Sequence, residues 1–495
     1  MPYTRGKPFN ILYIHTHDTG RYIGPYGYPV YSPHMDAFAS EATVFRNAFS
    51  VSPTCSPSRA GLLTGTYPHE NGMMGLAHRG FTLDDYRCHL APSLSHLGYT
   101  TALCGVQHVS PDKHRIGYDL ILDEEEDYFL EGIEDLAAYD RANAERTARF
   151  LEHPPEEPFF LSFGMLNTHR PFPSVRANEE KKELNPYFLR PPSPIPDAPE
   201  AREDTARFYE SIRDADQCIG TVLDSLSRSG LKENTLVILT TDHGPAFPEM
   251  KASLYDSGTG VFLMIKLPAG SAIKPSTGSE HKTSGDKSVT DGSYTEAGPA
   301  VIDEMVSHLD IVPTISHLLR ERGVLNEENA GACSTREKSK PIRGRSLLPL
   351  LRSSDSESPL HTYIFTETTF HAAYEPTRAV RSSRYKLIRR YAARTRLPVN
   401  VDDSPVKEIF NACGYFKEPV EGEELYDLLL DPSEKHNRIS DPRYRKVLEE
   451  LRSVLNEQMK NTEDPLLKGK VAPPKEALIN SAECYSPACD IFEQW

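Results

Sequence analysis

Three short apolar segments, each running into a cluster of polar residues, constrain this chain more than any other feature. Asn10-Ile11-Leu12-Tyr13-Ile14 leads to His15-Thr16-His17-Asp18, and Phe159-Phe160-Leu161-Ser162-Phe163 leads to Asn167, His169 and Arg170. Thr235-Leu236-Val237-Ile238-Leu239 leads to Thr241-Asp242-His243-Gly244. Short continuous apolar runs of this kind read as buried strands. Between the second and third, Ala201 to Ser229 carries Phe208, Ile212, Ala215, Ile219, Val222 and Leu226 at helical spacing. Over roughly the first 350 residues strands alternate with helical stretches, which predicts an α/β fold with a mostly parallel sheet. In open sheets of this class ligands bind beyond the carboxyl ends of the strands. Three strands delivering polar residues to that edge place a functional site there.

A chain of 495 residues, 38% hydrophobic and 25% charged, can bury a large core and is expected to form two domains. The first, 1–355, is the α/β domain, with an aperiodic polar stretch at 268–300 that reads as a mobile insertion. The second, 356–495, has a different texture. Tyr363-Ile364-Phe365-Thr366, Arg378-Ala379-Val380-Arg381, Tyr385-Lys386-Leu387-Ile388 and Glu424-Leu425-Tyr426-Asp427-Leu428 read as short strands, followed by a helix near 442–460. That is an α+β domain with an antiparallel sheet. The formal charge of −16 argues against general binding to nucleic acid or anionic membranes, so an anion pocket must be built from individual Arg, Lys, His and metal groups. No apolar run approaches the roughly 18 residues needed to span a bilayer, and Met1 to Lys7 contains no signal-peptide core. Of eight cysteines only Cys484 and Cys489 are close together, and these are expected as separate thiols in a reduced, cytoplasmic protein.

The densest motif is Cys55-Ser56-Pro57-Ser58-Arg59 followed by Leu63-Thr64-Gly65. A helix can start at Thr54 or Cys55 with Pro57 in its first turn. Backbone N–H groups at such a terminus favour an anion. Arg59 lies one helical turn beyond Cys55 on the same face and offers a planar fork of donors to a tetrahedral oxyanion. The carboxylates of Asp18 and Asp242 reach the same sheet edge and suit a hard divalent cation such as Ca²⁺ or Mg²⁺. Taken singly, each Asp also reads as a turn or cap residue.

The run from Cys55 to Gly65 resembles the signature of type I sulfatases. The resemblance extends over about residues 8–350 and, more loosely, 360–460. Within that family Ser56, Ala60, Leu62-Leu63, Asn71-Gly72-Met73, Gly75-Leu76 and Asp242 through Tyr255 are most similar to the N-sulfoglucosamine sulfohydrolase branch. The resemblance implies an alkaline-phosphatase-like sandwich in which a maturation enzyme oxidises Cys55 to formylglycine. It implies Ca²⁺ held by Asp18, Asp242, His243 and residue 55, and hydrolysis of a sulfate ester or sulfamate on a carbohydrate or another small anionic substrate. It further implies that Arg59 steadies the nucleophile and the charge on sulfur, that His169 or Lys251 assists the leaving group, and that His108 takes a proton during sulfate release. Two positions depart from the family pattern. His17-Asp18 stands where two acids are usual; imidazole is a better ligand for Mn²⁺ or Zn²⁺ than for Ca²⁺, so either His17 turns away from the metal, the outcome expected here, or His17 is a ligand and the preferred metal is not Ca²⁺. Val106 stands where the family has a lysine two residues before the histidine. The same residues also admit a phosphodiesterase or phosphonate monoester hydrolase, or a non-catalytic binder of sulfated glycans. Substrate choice is expected in loops near His78, Arg79, His371 and Arg381.

Overall fold

The computed structural model describes residues 8–123, 133, 135–175, 184–271, 300–326, 340–352, 358–392 and 400–495. Most of the stretch expected as a mobile insertion, 272–299, lies outside these residues.

Among the described residues nine strands form the larger sheet: β1 (Asn10–Thr16), β2 (Thr43–Phe49), β3 (Thr100–Gly105), β4 (Leu120–Ile121), β5 (Phe159–Gly164), β6 (Thr235–Thr241), β7 (Gly260–Val261), β8 (Leu263–Lys266) and β9 (Ala300–Ser307). Their order is β4-β3-β5-β1-β6-β8-β2, with β7 and β9 also paired to β2. The run from β4 to β6 is parallel throughout. Strand β8 is antiparallel to both β6 and β2, so β2 and its parallel partner β9 point the same way as β6. The expected mostly parallel α/β sheet is therefore present. Pairing of His15 with Gly164 and of Thr16 with Thr241 brings the ends of β1, β5 and β6 level, so their polar clusters meet.

All seven residues of β1 are buried, which explains why its sequence shows no polar alternation. Its two faces nevertheless feed different cores. Leu12 and Ile14 pack with Phe208, Ile212 and Ile219 of the Pro199–Arg228 helix and Leu151 of the Leu136–Glu152 helix. Ile11 and Tyr13 pack with Leu62 and Leu63 of the Cys55–Thr64 helix and with Ile311 and Ile315 of the Ile311–Glu321 helix. Each such side chain contributes about 1.5–3 kcal/mol by leaving water. The Cys55–Thr64 helix is buried along its whole length and ends where Gly65, at φ +70°, returns its N–H to the Gly61 carbonyl. A left-handed residue at that position favours glycine, which accounts for the last residue of the motif.

The smaller sheet comprises β10 (Ile364–Phe370), β11 (Tyr374–Arg381), β12 (Tyr385–Arg390) and β13 (Glu423–Asp427), antiparallel and in chain order. Leu448, Leu451, Leu455 and Met459 of the Arg445–Asn461 helix share a core with Val380, Leu387 and Leu425. Ala60, Met73 and Phe81 belong to that same core, so the small sheet packs directly against the segment carrying the cysteine motif.

Beyond the Arg445–Asn461 helix one expectation is corrected. Cys484 and Cys489 are joined by a disulfide. The tail folds back on itself through Ser481 N–H to the Ile491 carbonyl (2.7 Å) and Glu493 N–H to the Ile479 carbonyl (2.8 Å). That turn brings the two Cα atoms to 5.9 Å, a span a disulfide bridges. No helix among the described residues is long and apolar enough to cross a membrane.

Candidate active site

Successive residues of an extended strand point to opposite faces, so His17 and Asp18 would ordinarily diverge. Asp18 adopts φ 54°, a left-handed conformation that Asp tolerates better than most residues. The bend is pinned by His17 N–H to the Asn167 carbonyl (2.9 Å), Thr168 N–H to the His17 carbonyl (2.7 Å) and Thr19 N–H to Thr241 Oγ1 (3.1 Å). Both side chains then face one point. His17 Nδ1 lies 2.7 Å from Asp18 Oδ1 and 3.5 Å from Asp242 Oδ2. The expectation that His17 turns away is therefore incorrect, because the sign of φ at Asp18 overrides strand alternation.

Asp242 organises the centre. Its Oδ1 accepts the backbone N–H of Asp18 (2.8 Å) and of His243 (2.9 Å), while Oδ2 accepts from Arg59 Nε (3.1 Å) and lies 2.8 Å from Arg59 Nη2. Burial would raise its pKa, but Arg59, His243 and His17 outweigh burial and hold the carboxyl well below the usual range. Asp18 is likewise depressed: burial opposes ionisation, and Lys251, with His17, His243 and His169, overcomes it. Asp18 Oδ2 accepts from Lys251 Nζ at 2.7 Å.

Cys55 is the first residue of its helix and is buried. Its Sγ lies 3.3 Å from His243 Nε2 and 3.9 Å from Asp18 Oδ1. Burial pushes the thiol pKa well up, so an unaltered Cys55 is a neutral thiol and a weak nucleophile. Arg59 does not stand free to receive an anion. Besides Asp242, its Nη1 meets His15 Nδ1 at 2.6 Å, a partner with no signal in the motif.

On the other side of Asp18, His169 Nδ1 donates to the Arg170 carbonyl (2.6 Å), leaving Nε2 to accept from Lys251 Nζ at 3.2 Å. Burial, reinforced by Lys251, lowers the His169 pKa to about 4. His108 is buried and neutral, 5.2 Å from the His17 ring and stacked on His78 at 6.0 Å. Val106 is packed with Leu136 and Leu166 and supplies nothing polar here.

Sequence reasoning missed Asp402, whose Oδ2 is 3.0 Å from Lys251 Nζ and whose Oδ1 is 3.9 Å from His169 Nε2. Asp402 follows no strand of the large sheet, so no pattern marks it. His371 is buried close by, its pKa lowered to about 3 by burial and then by Lys251. Arg381 is directed elsewhere: it pairs with Asp256 at 3.1 Å and covers the Phe49 ring.

The C-terminal tail ties down the loops beside these groups. Asn480 donates its N–H to the Ala372 carbonyl (2.8 Å), accepts from Arg79 Nη1 on Oδ1 (2.8 Å), and donates from Nδ2 to the Pro487 carbonyl (3.0 Å). Ser486 Oγ donates to Asp403 at 2.5 Å. The neighbours of these anchors are His78, His371 and Asp402. Asn480→Ala should therefore cost about 1–3 kcal/mol, the loss expected when buried polar partners are left unmade. It should also raise KM more than it lowers kcat. Denaturant unfolding together with steady-state kinetics checks this, and no change in either would show that the tail does not position the rim.

His17, Asp18, Cys55 and Asp242 each offer a ligand atom within 4.8 Å of one another, and all four are buried. Two ionised carboxylates facing one point, with an imidazole beside them, form a donor set that fits a divalent cation.

The family model described as Sulfatase matches residues 9–321. N-sulphoglucosamine sulphohydrolase of Homo sapiens is 29% identical over 528 residues, covering 96% of this chain and 96% of that protein. An ulvan-active sulfatase of Formosa agariphila is 24% identical, covering 90% of this chain and 74% of that protein. Among solved structures, a protein in complex with its substrate D-glucosamine-2-N,6-O-disulfate has a TM-score of 0.66 at 19% identity, covering 94% of this chain and 100% of that one. A 2-O GAG sulfatase has a TM-score of 0.64 at 20% identity, covering 94% and 95%.

Proposed function

This chain belongs to the sulfatase family, and we propose that it hydrolyses a sulfate ester or sulfamate on a small carbohydrate through a nucleophile made from Cys55. The observation that carries this reading is the position of Cys55, whose sulfur faces His243 and Asp18, with Asp242, Lys251 and His169 around them. Oxidised to formylglycine by a maturation enzyme and hydrated, residue 55 supplies paired hydroxyls, one to attack sulfur and one to expel sulfate. A divalent cation at Asp18, Asp242, His17, His243 and residue 55 supplies positive charge to the sulfuryl oxygens.

The remaining roles follow from this chain's own contacts. Arg59 acts chiefly through Asp242, keeping it ionised and fixed in one orientation. Lys251 is held cationic by Asp18 and Asp402, although burial opposes its charge. It provides charge for the substrate anion in place of the lysine that Val106 lacks. Because Lys251 donates to His169 Nε2, the leaving oxygen or nitrogen takes its proton from Lys251, directly or through that imidazole. His108, neutral and close to His17, has a lone pair for the proton lost during sulfate release. Asp402 faces the same substrate region and suits hydroxyl or amine donors on the sugar beside the sulfate.

The test compares rates on p-nitrophenyl sulfate, glucosamine N-sulfate and a phenyl phosphonate monoester, alongside the intact mass of the peptide spanning Cys55. Turnover of a sulfated substrate at least about 100-fold faster than of the phosphonate is expected, with a mass about 18 Da below that of cysteine. Preference for the phosphonate would overturn the sulfatase reading in favour of phosphonate monoester hydrolysis. Binding of the sulfated ligands without turnover by the converted protein would indicate a glycan binder.

A further inference from the structure

We propose that the cation of this site is a nitrogen-preferring transition ion of the Mn²⁺ or Zn²⁺ class, held by His17 and His243 together with Asp18 and Asp242, and not Ca²⁺. This rests on the reading of the cluster as a cation site but is independent of which reaction the site performs.

The first ground is the supply of oxygen. Ca²⁺ takes about six to eight oxygen ligands, often with bidentate carboxylates. Here the oxygens of both carboxylates are already in use by protein donors. Asp242 Oδ1 is engaged by the N–H groups of Asp18 and His243, and Asp18 Oδ2 is engaged by Lys251. Arg59 engages Asp242 Oδ2 as well, so bidentate binding by either carboxylate would have to share oxygen lone pairs with donors already in place. His17 occupies the place of a further acid and offers an imidazole nitrogen where a carboxylate would offer oxygen. Lys251 touches Asp18 and Arg59 touches Asp242, and together they reduce the negative field that would attract a hard ion.

The second ground is the placement of nitrogen. His243 Nδ1 meets the Gly244 carbonyl at 2.9 Å, which directs its proton there and turns the Nε2 lone pair inward. Donation of the other ring N–H to a backbone carbonyl is the usual arrangement of a metal-ligating histidine. His243 Nε2 lies 3.2 Å from Asp18 Oδ1 and 3.9 Å from Asp242 Oδ2, while His17 Nδ1 lies 2.7 Å and 3.5 Å from the same two oxygens. Two ligands on one ion with bonds of about 2.0–2.2 Å are separated by roughly 3–3.5 Å, a value that these nitrogen-to-oxygen spacings bracket. Two imidazole nitrogens and two carboxylate oxygens, with residue 55 beside them, match first-row transition ions.

The experiment is equilibrium binding of Mn²⁺, Zn²⁺ and Ca²⁺ to chelator-treated full-length protein, by calorimetry and elemental analysis, for wild type and His17→Asp. Wild type should bind Mn²⁺ or Zn²⁺ at least about 100-fold more tightly than Ca²⁺, and His17→Asp should move that ratio at least about tenfold towards Ca²⁺. Equal or tighter binding of Ca²⁺ by wild type, or an unchanged ratio in the variant, would overturn the proposal. Should His17→Asp fail to fold, pulsed electron paramagnetic resonance of Mn²⁺-loaded wild type decides: nitrogen couplings from two imidazoles are expected, and their absence refutes it. A Ca²⁺-preferring protein that still cleaves sulfate would sink this inference and leave the sulfatase reading intact. A tight Mn²⁺ site in a protein inert towards sulfate would do the reverse.

Discussion

Cys55→Ala should lower turnover of any sulfated substrate by at least about a thousandfold, equivalent to roughly 4 kcal/mol of transition-state stabilisation. The loss is of this size because no neighbouring side chain can replace the nucleophile. Asp18 and Asp242 are ionised but engaged by Lys251, Arg59 and backbone N–H groups, and His243 Nε2 faces the thiol itself. The fold should be nearly unaffected, since a single buried sulfur is removed and the helix retains its left-handed stop at Gly65. Protein left with an unconverted Cys55 should be as inactive as the alanine variant, because burial keeps the thiol protonated. Single-turnover kinetics on both forms, with thermal melting as a folding control, checks the prediction. Near-normal turnover by well-folded Cys55→Ala would remove residue 55 from the chemistry.

The parts of the fold that were legible in the sequence are those governed by local pattern. Strands β1, β5 and β6 were readable because full burial makes them continuously apolar, and the Pro199–Arg228 helix because its buried face repeats at helical spacing. The cysteine helix was readable from its proline, arginine and terminal glycine. What was hidden depends on conformations and contacts that leave no periodic trace. His17 faces inward because Asp18 takes a positive φ, and an Asp in sequence does not announce that choice. Arg59 is engaged by His15, which nothing in the cysteine motif marks as a partner, because the two are distant in sequence and meet only in the fold. Asp402 reaches Lys251 from a loop distant in sequence. Cys484 and Cys489 pair because the tail folds back by backbone hydrogen bonds that side-chain composition does not encode. Val106 could be identified as a departure, but its burial among Leu136 and Leu166 required the fold.

Asp242→Asn should cost both function and stability, for separable reasons. An amide can still offer one oxygen to the N–H groups of Asp18 and His243, but its NH₂ then faces the Arg59 guanidinium, donor against donor. Arg59 is left as a buried cation without its counter-charge, and breaking a buried pair this way typically costs about 3–5 kcal/mol. The cation site loses one of its two facing carboxylates, so affinity for the preferred ion should fall at least about 100-fold, with turnover falling at least as far. The stability difference has a defined pH dependence. The folded pKa of Asp242 is depressed, so its stabilising contribution is fully present above the ordinary aspartate pKa of about 3.9 and is lost as pH falls below it. The gap between wild type and Asp242→Asn should accordingly be constant near neutrality and narrow in acid. Adding Arg59→Met to Asp242→Asn removes the stranded cation and should recover much of the stability while restoring neither metal binding nor turnover. Denaturant unfolding across pH, with metal titration of the single and double variants, separates the two effects. A double variant no more stable than the single would show that Asp242 supports the fold through its backbone contacts and not through Arg59.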